Sequence, residues 1–171
     1  MLYCKILENR ESFKFVYEDE LCFAILHESP SVPGHTLVIP KKHSPIFEEL
    51  DDSSAAHLFV VGNNISSSLF DSLGAHGTNL LINNGVSAGQ ELPHIVLNVL
   101  PRKENDGLNL EWQSRKASNE ELKTTQSMIR SYSESIFSGR ELAKNVIIKK
   151  EEPILNNSSE DYMIKGLKRM P

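Results

Sequence analysis

Apolar and polar positions alternate, cluster and break along the chain in a way that predicts its elements. Residues 13–18 (FKFVYE) and 21–28 (LCFAILHE) are rich in aromatic and branched side chains. Glu18-Asp19-Glu20 separates them, so the pair predicts a β-hairpin with a short acidic turn. The breaker segment Ser29-Pro30-Ser31-Val32-Pro33-Gly34 follows, and residues 35–40 (HTLVIP) predict a third strand. Asp51 or Asp52 is placed to cap a helix running to about Leu73. Leu58, Val61, Ile65, Leu69 and Leu73 recur in it at spacings of three and four and form its apolar stripe. Gly74-Ala75-His76-Gly77 ends that helix. Residues 78–84 and 94–100 predict the fourth and fifth strands, with a glycine-containing loop at 85–93 between them.

Beyond the fifth strand the pattern thins. Residues 101–116 read as irregular, with Trp112 as a packing anchor. Ser118-Asn119-Glu120-Glu121 has the form of a capping box. It predicts a helix to about Phe137 with Leu122, Ile129 and Ile136 turned inward, stopped by Gly139. Residues 145–150 (NVIIKK) read as a short edge strand and 156–159 as a linker. Ser158 and Asp161 read as caps of a short final helix carrying Met163, Leu167 and Met170. The order β-β-β-α-β-β-α lacks βαβ alternation and predicts an α+β domain on an antiparallel sheet. Residues 1–141 are expected to form that domain, and 142–171 a C-terminal extension.

Composition narrows the function classes. The 171 residues are 39% hydrophobic and 24% charged, as expected of a globular chain. The net charge of −5 argues against non-specific nucleic-acid binding, which needs basic surface. No apolar run approaches the roughly 20 residues that span a bilayer, and the N-terminus lacks a basic-then-apolar leader. Two cysteines, Cys4 and Cys22, are too few for a disulfide scaffold and fit a reducing compartment. A cytoplasmic protein without a membrane partner is expected.

The most informative stretch is residues 83–102, NNGVSAGQELPHIVLNVLPR. It resembles the site segment of the histidine-triad (HIT) family, in its fragile-histidine-triad and bacterial/archaeal branch. There a Gly-Gln loop precedes His-x-His-x-His, two apolar residues and often Pro-Arg. Here Gly89-Gln90 precedes His94-Ile95-Val96-Leu97-Asn98-Val99-Leu100 and Pro101-Arg102. Upstream, residues 29–43 (SPSVPGHTLVIPKKH) resemble the family's other signature. The resemblance runs over about residues 4–112. It implies a HIT-like fold, a five-stranded antiparallel sheet with two main helices, and a symmetric homodimer.

The departures bear directly on chemistry. In the family the three triad histidines lie on one face of a strand. The middle one attacks the α-phosphate, and the outer two orient it and meet the phosphate or leaving group. The matching positions here are His94, Val96 and Asn98. Valine has no lone pair, and asparagine hydrogen-bonds but shuttles no proton near neutral pH. The resemblance places nucleotide contacts at His27, His35, Asn83, Gly89, Gln90, His94 and Asn98. His27 stands where the family usually has Asp or Asn for the ribose hydroxyls, and His35 where it has a packing or supporting histidine. Glu91 stands where the family often has Ser or Thr, and its carboxylate would repel phosphate unless turned to solvent. For His94 two readings are open, a buried hydrogen-bonded side chain and a phosphate or metal contact. The loop is likewise either an ordinary turn or a phosphate cradle. His57 and His76 read as surface residues.

Many family members also hold zinc through Cys-x-x-Cys and two histidines. The matching positions are Met1, Cys4, His43 and His94, so three of four ligands stand; three unrelated polar residues are the other reading. Three functions are compatible with these residues. The first is a non-catalytic or regulatory scaffold that binds a mononucleotide or nucleoside phosphate weakly, or a protein partner through the C-terminal extension. The second is an active hydrolase or transferase, acting on dinucleoside polyphosphates or nucleoside phosphoramidates through a non-standard site. The third is a structural subunit whose pocket is filled by side chains.

Overall fold

A computed structural model describes residues 6–139 of the chain. It forms two compact units, Met1–Asn109 and Leu110–Pro171. In the first, β1 (Phe15–Glu18), β2 (Cys22–Leu26), β3 (Thr36–Pro40), β4 (Gly77–Ile82) and β5 (Leu97–Arg102) build one sheet, in the order β1-β2-β3-β5-β4. Every pairing is antiparallel, so the α+β expectation holds.

Helix α1 (Asp52–Leu73) covers one face of the sheet. Asp51 caps it by accepting from the Ser54 N–H at 2.9 Å. Gly74, at φ 60°, ends it with a left-handed residue whose N–H bonds the Phe70 carbonyl. Leu58, Val61, Ile65 and Leu69 are buried against Cys22, Ala24, Val38, Ile95, Leu97 and Val99. Gly62 lets the helix approach β5: a Cβ there would lie 2.5 Å from Leu97 Cδ2. Leu73, expected on the same stripe, is 41% exposed. It instead reaches the turn before β3, where a Cβ on Gly34 (φ 91°) would meet Leu73 Cδ1 at 2.4 Å. The opposite face buries Ile6, Phe23, Ile25, Leu37 and Ile39, with Leu7, Phe13, Phe15 and Val96 packed on them. Alternate residues of β2 and β3 thus serve two separate cores, as the period of two requires.

The last strand begins later than expected. The His94 N–H bonds the Leu92 carbonyl and the Ile95 N–H bonds the Ser44 carbonyl, so residues 94–96 lie outside the ladder. Pairing continues instead through Pro101 and Arg102, opposite Thr78 and Gly77. His57, expected at the surface, is half-buried, with its Nε2 2.6 Å from Asp19 Oδ2.

In the second unit, α2 (Asn119–Gly139) opens with the expected capping box. The Glu121 N–H donates to Ser118 Oγ at 3.2 Å, and Glu121 Oε2 accepts from the Ser118 N–H at 2.8 Å. Leu122, Ile129 and Ile136 are exposed, not inward, and Trp112 is 86% exposed, so it anchors no core. A row at i, i+7 and i+14 fixes only that the three share a face; covering that face takes another element. The expected strand at 145–150, the linker, the last helix and the 141/142 boundary lie outside the described residues. Among the described residues no helix is long and apolar enough to cross a membrane.

Candidate functional site

The residues singled out in the sequence fall into three groups around β3, β5 and the loop between β4 and β5. The loop is held by side-chain amides. Gly85 and Gly89 take φ of 89° and 84°, which admits the 3-10 turn Val86–Ala88 between them. Gln90 Oε1 accepts from the Gly85 N–H at 2.7 Å, and its Nε2 donates to the carbonyls of Pro45 (2.6 Å) and Leu92 (2.8 Å). Asn83 Nδ2 donates to the Gly89 carbonyl at 3.3 Å. Asn84 accepts from the Phe47 N–H and donates to the Glu48 carboxylate, each at 2.9 Å. The side-chain donors of Asn83 and Gln90 are therefore engaged in shaping the loop. Glu91 is exposed.

The second group lies where the loop meets the end of β3. His94 is 5% exposed. Its Nε2 stands 2.9 Å from the Pro40 carbonyl, an acceptor, so Nε2 carries the proton and Nδ1 presents its lone pair. The Nδ1 of His43 lies 3.0 Å from that nitrogen. Burial holds the His94 imidazole below its ordinary pKa. Two Nδ1 atoms 3.0 Å apart, one ring anchored through its far N–H to a backbone carbonyl, suit two ligands of one tetrahedral zinc. Cys4, the third expected ligand, lies outside the described residues.

The third group sits on the face away from α1. The register places Asn98 opposite Leu37 of β3 and Leu81 of β4. Asn98 Oδ1 accepts from His35 Nε2 at 3.0 Å, while its Nδ2 donates to the Leu81 carbonyl at 3.2 Å. His35 Nδ1 accepts from the Ser31 N–H at 3.4 Å. Burial lowers the His35 pKa. The His27 ring stacks on that of His35, centroids 4.6 Å apart and planes 18° from parallel, and its Nδ1 accepts from the Ser29 N–H at 2.9 Å. Val96 packs on the apolar cluster of the same face.

The structure thus brings His27, His35 and Asn98 together, and His43 with His94. Val96 lies in sequence between the two groups, next to hydrocarbon. Local patterning gave no sign that Gln90 and Asn84 brace the loop, because their partners lie 45 and 36–37 residues away.

The HIT-domain family model matches residues 9–105. Adenylylsulfatase HINT3 of Arabidopsis thaliana is 37% identical over 122 residues, which are 71% of this chain and 60% of that protein. The chain therefore spans 60% of that relative's length, somewhat less than two thirds. The crystal structure of a HIT family protein from Bacillus anthracis superposes with a TM-score of 0.69 at 37% identity, covering 77% of this chain and 95% of that one. A zinc-bound histidine-triad family protein from Mycobacterium smegmatis superposes with a TM-score of 0.60 at 32% identity, covering 77% and 96%.

Proposed function

The chain belongs to the HIT family, and from that premise we propose that it is a non-catalytic member, a scaffold that binds a mononucleotide or nucleoside phosphate weakly. The observation that carries this reading is the environment of Val96. Its side chain stands at the position of the attacking imidazole and packs on the Ile6–Phe23–Ile25–Leu37–Ile39 cluster. Methyl groups there desolvate a phosphate without offering it a hydrogen bond. Asn98 has both ends of its amide engaged. His94 directs one nitrogen to a carbonyl and the other to His43. No group of the triad is thereby poised as nucleophile or as proton donor to a leaving group.

Weak binding at the site would rest on the backbone of the 83–90 loop, His27 and His35. Cys4, His43 and His94 would hold a zinc ion that ties the N-terminal segment to the loop, a structural role. A closed homodimer is supported by Phe59 and Val60, exposed on α1, and by Leu80, exposed on the edge strand β4; a monomer in sedimentation at tens of micromolar would remove it. A cytoplasmic location is supported by the composition and by the free, buried thiol of Cys22. The C-terminal extension would serve a protein partner.

Incubation with a nucleoside phosphoramidate is expected to leave no covalent nucleotidyl adduct in the intact-protein mass spectrum, with turnover at background. An adduct would overturn the proposal. Val96→His with Asn98→His restores imidazoles at both positions and is expected to gain measurable hydrolysis. If that double variant binds AMP yet stays inert, the site lacks more than its nucleophile. If neither protein is stabilised thermally by AMP or GMP, the reading moves to a structural subunit with a filled pocket.

A further inference from the structure

On the opposite side of β2, three metal-ligating side chains converge that the site described above does not use. Asp19 lies in the β1–β2 turn, Cys22 opens β2, and His57 lies on α1. Asp19 Oδ2, Cys22 Sγ and His57 Nε2 all fall within 4.8 Å of one another. We propose that these three residues form a binding site for a single divalent transition metal of the zinc class, with the fourth position open to solvent.

The turn prepares the carboxylate. Asp19 Oδ1 accepts from the backbone N–H groups of Leu21 and Cys22, each at 2.8 Å, and the Asp19 N–H bonds the Cys22 carbonyl. These bonds fix the carboxylate plane and leave Oδ2 facing the other two donors. Oδ2 lies 2.6 Å from His57 Nε2 and 3.8 Å from Cys22 Sγ, and also accepts from the Tyr17 hydroxyl at 2.7 Å. Zinc bonds of 2.0–2.3 Å place tetrahedral donor atoms roughly 3.2–3.7 Å apart. The thiol is close to that spacing already. The Asp19–His57 contact opens by roughly half an ångström when an ion takes the place of the proton between them.

The donor set selects the ion. One thiolate, one imidazole and one carboxylate suit zinc or cobalt, whereas magnesium and calcium take oxygen. Two anionic ligands balance a divalent charge, so the loaded site is neutral where it adjoins the core around Cys22. Asp19 and His57 keep 23% and 33% of their side chains exposed, giving the ion a way in. Cys22 is 2% exposed and its thiol is pushed up to about 12, chiefly by burial, so metal must displace its proton. Binding forms the S–metal bond and releases the thiol proton to solvent. His57 binds through Nε2 as the neutral imidazole, with its N–H on Nδ1. Affinity therefore increases with pH.

The test is a cobalt(II) titration of the full chain carrying Cys4→Ser. Cys22 is then the one remaining cysteine, and any thiolate-to-cobalt charge-transfer band reports on it. A saturable band is expected, with proton release on binding. It should vanish with Cys22→Ala and weaken at least about tenfold with His57→Gln, whose amide keeps a hydrogen bond to Asp19. It should persist with His43→Ala, which touches only the other candidate centre. Circular dichroism confirms that each variant is folded. No band at millimolar cobalt, a band indifferent to His57→Gln, or one abolished by His43→Ala would each overturn the proposal.

Discussion

Leu97 and Asn98 are neighbours on β5, yet they belong to different parts of the molecule. Leu97 is wholly buried under α1, in contact range of Gly62. Asn98 faces the other way, half-buried, with its amide divided between His35 and the Leu81 carbonyl. On the α1 side the strands contribute almost only hydrocarbon, and shape complementarity governs what is tolerated. On the other side an apolar cluster borders histidines and an asparagine, whose partners are individually specified. One face is the support and the other carries the candidate site. A change one residue along the strand therefore tests a different kind of interaction.

The sharpest way to break that contrast is to cut both side chains to alanine. Leu97→Ala should cost about 2–5 kcal/mol, since lost burial and a cavity beside the helix add. Asn98→Ala should cost about 1–3 kcal/mol, since it removes the acceptor of the His35 N–H and a donor to the Leu81 carbonyl. Urea denaturation of both variants checks the ranking. Equal costs would mean that the site face is packed as rigidly as the support.

A smaller effect sharpens the same comparison through pH. Burial depresses the His35 pKa, so the ring stays neutral in the folded protein where the unfolded chain already binds a proton. The unfolded state then takes up more protons, and stability falls with them. The His35 contribution is complete above about pH 6.5 and is lost as pH falls toward the lowered folded value. Melting temperatures should drop between pH 7 and pH 5, and His35→Gln should flatten that slope without abolishing it, because buried His94 has the same sign. An unchanged slope in the variant would show that the ring is hydrated in the fold.

Much of the fold was legible from local pattern. The hairpin, the Asp51 cap, the α1 stripe and the capping box at Ser118 all depend on residues within a few positions of one another. The resemblance to the HIT family pointed to residues 94, 96 and 98 as the triad positions, where the chain has His, Val and Asn. The misreadings share a cause. Leu122, Ile129, Ile136 and Trp112 are apolar residues whose burial needs a second element, and they are exposed. His57 looked like a surface residue because its partner, Asp19, lies 38 residues earlier.

The sequence alone indicates most of the strands and helices among the described residues, because backbone preference, capping and the periods of two and 3.6 act between near neighbours. It also settles that no imidazole stands at position 96. The tertiary structure decides what each polar side chain meets. Asn98 finds His35 across β3, His94 finds His43 and the Pro40 carbonyl, and Asp19 finds His57 on the helix. Those pairings are 38 to 63 residues apart in the chain. They form only because burying the two apolar faces of one sheet brings the strands, the helix and the loop into register.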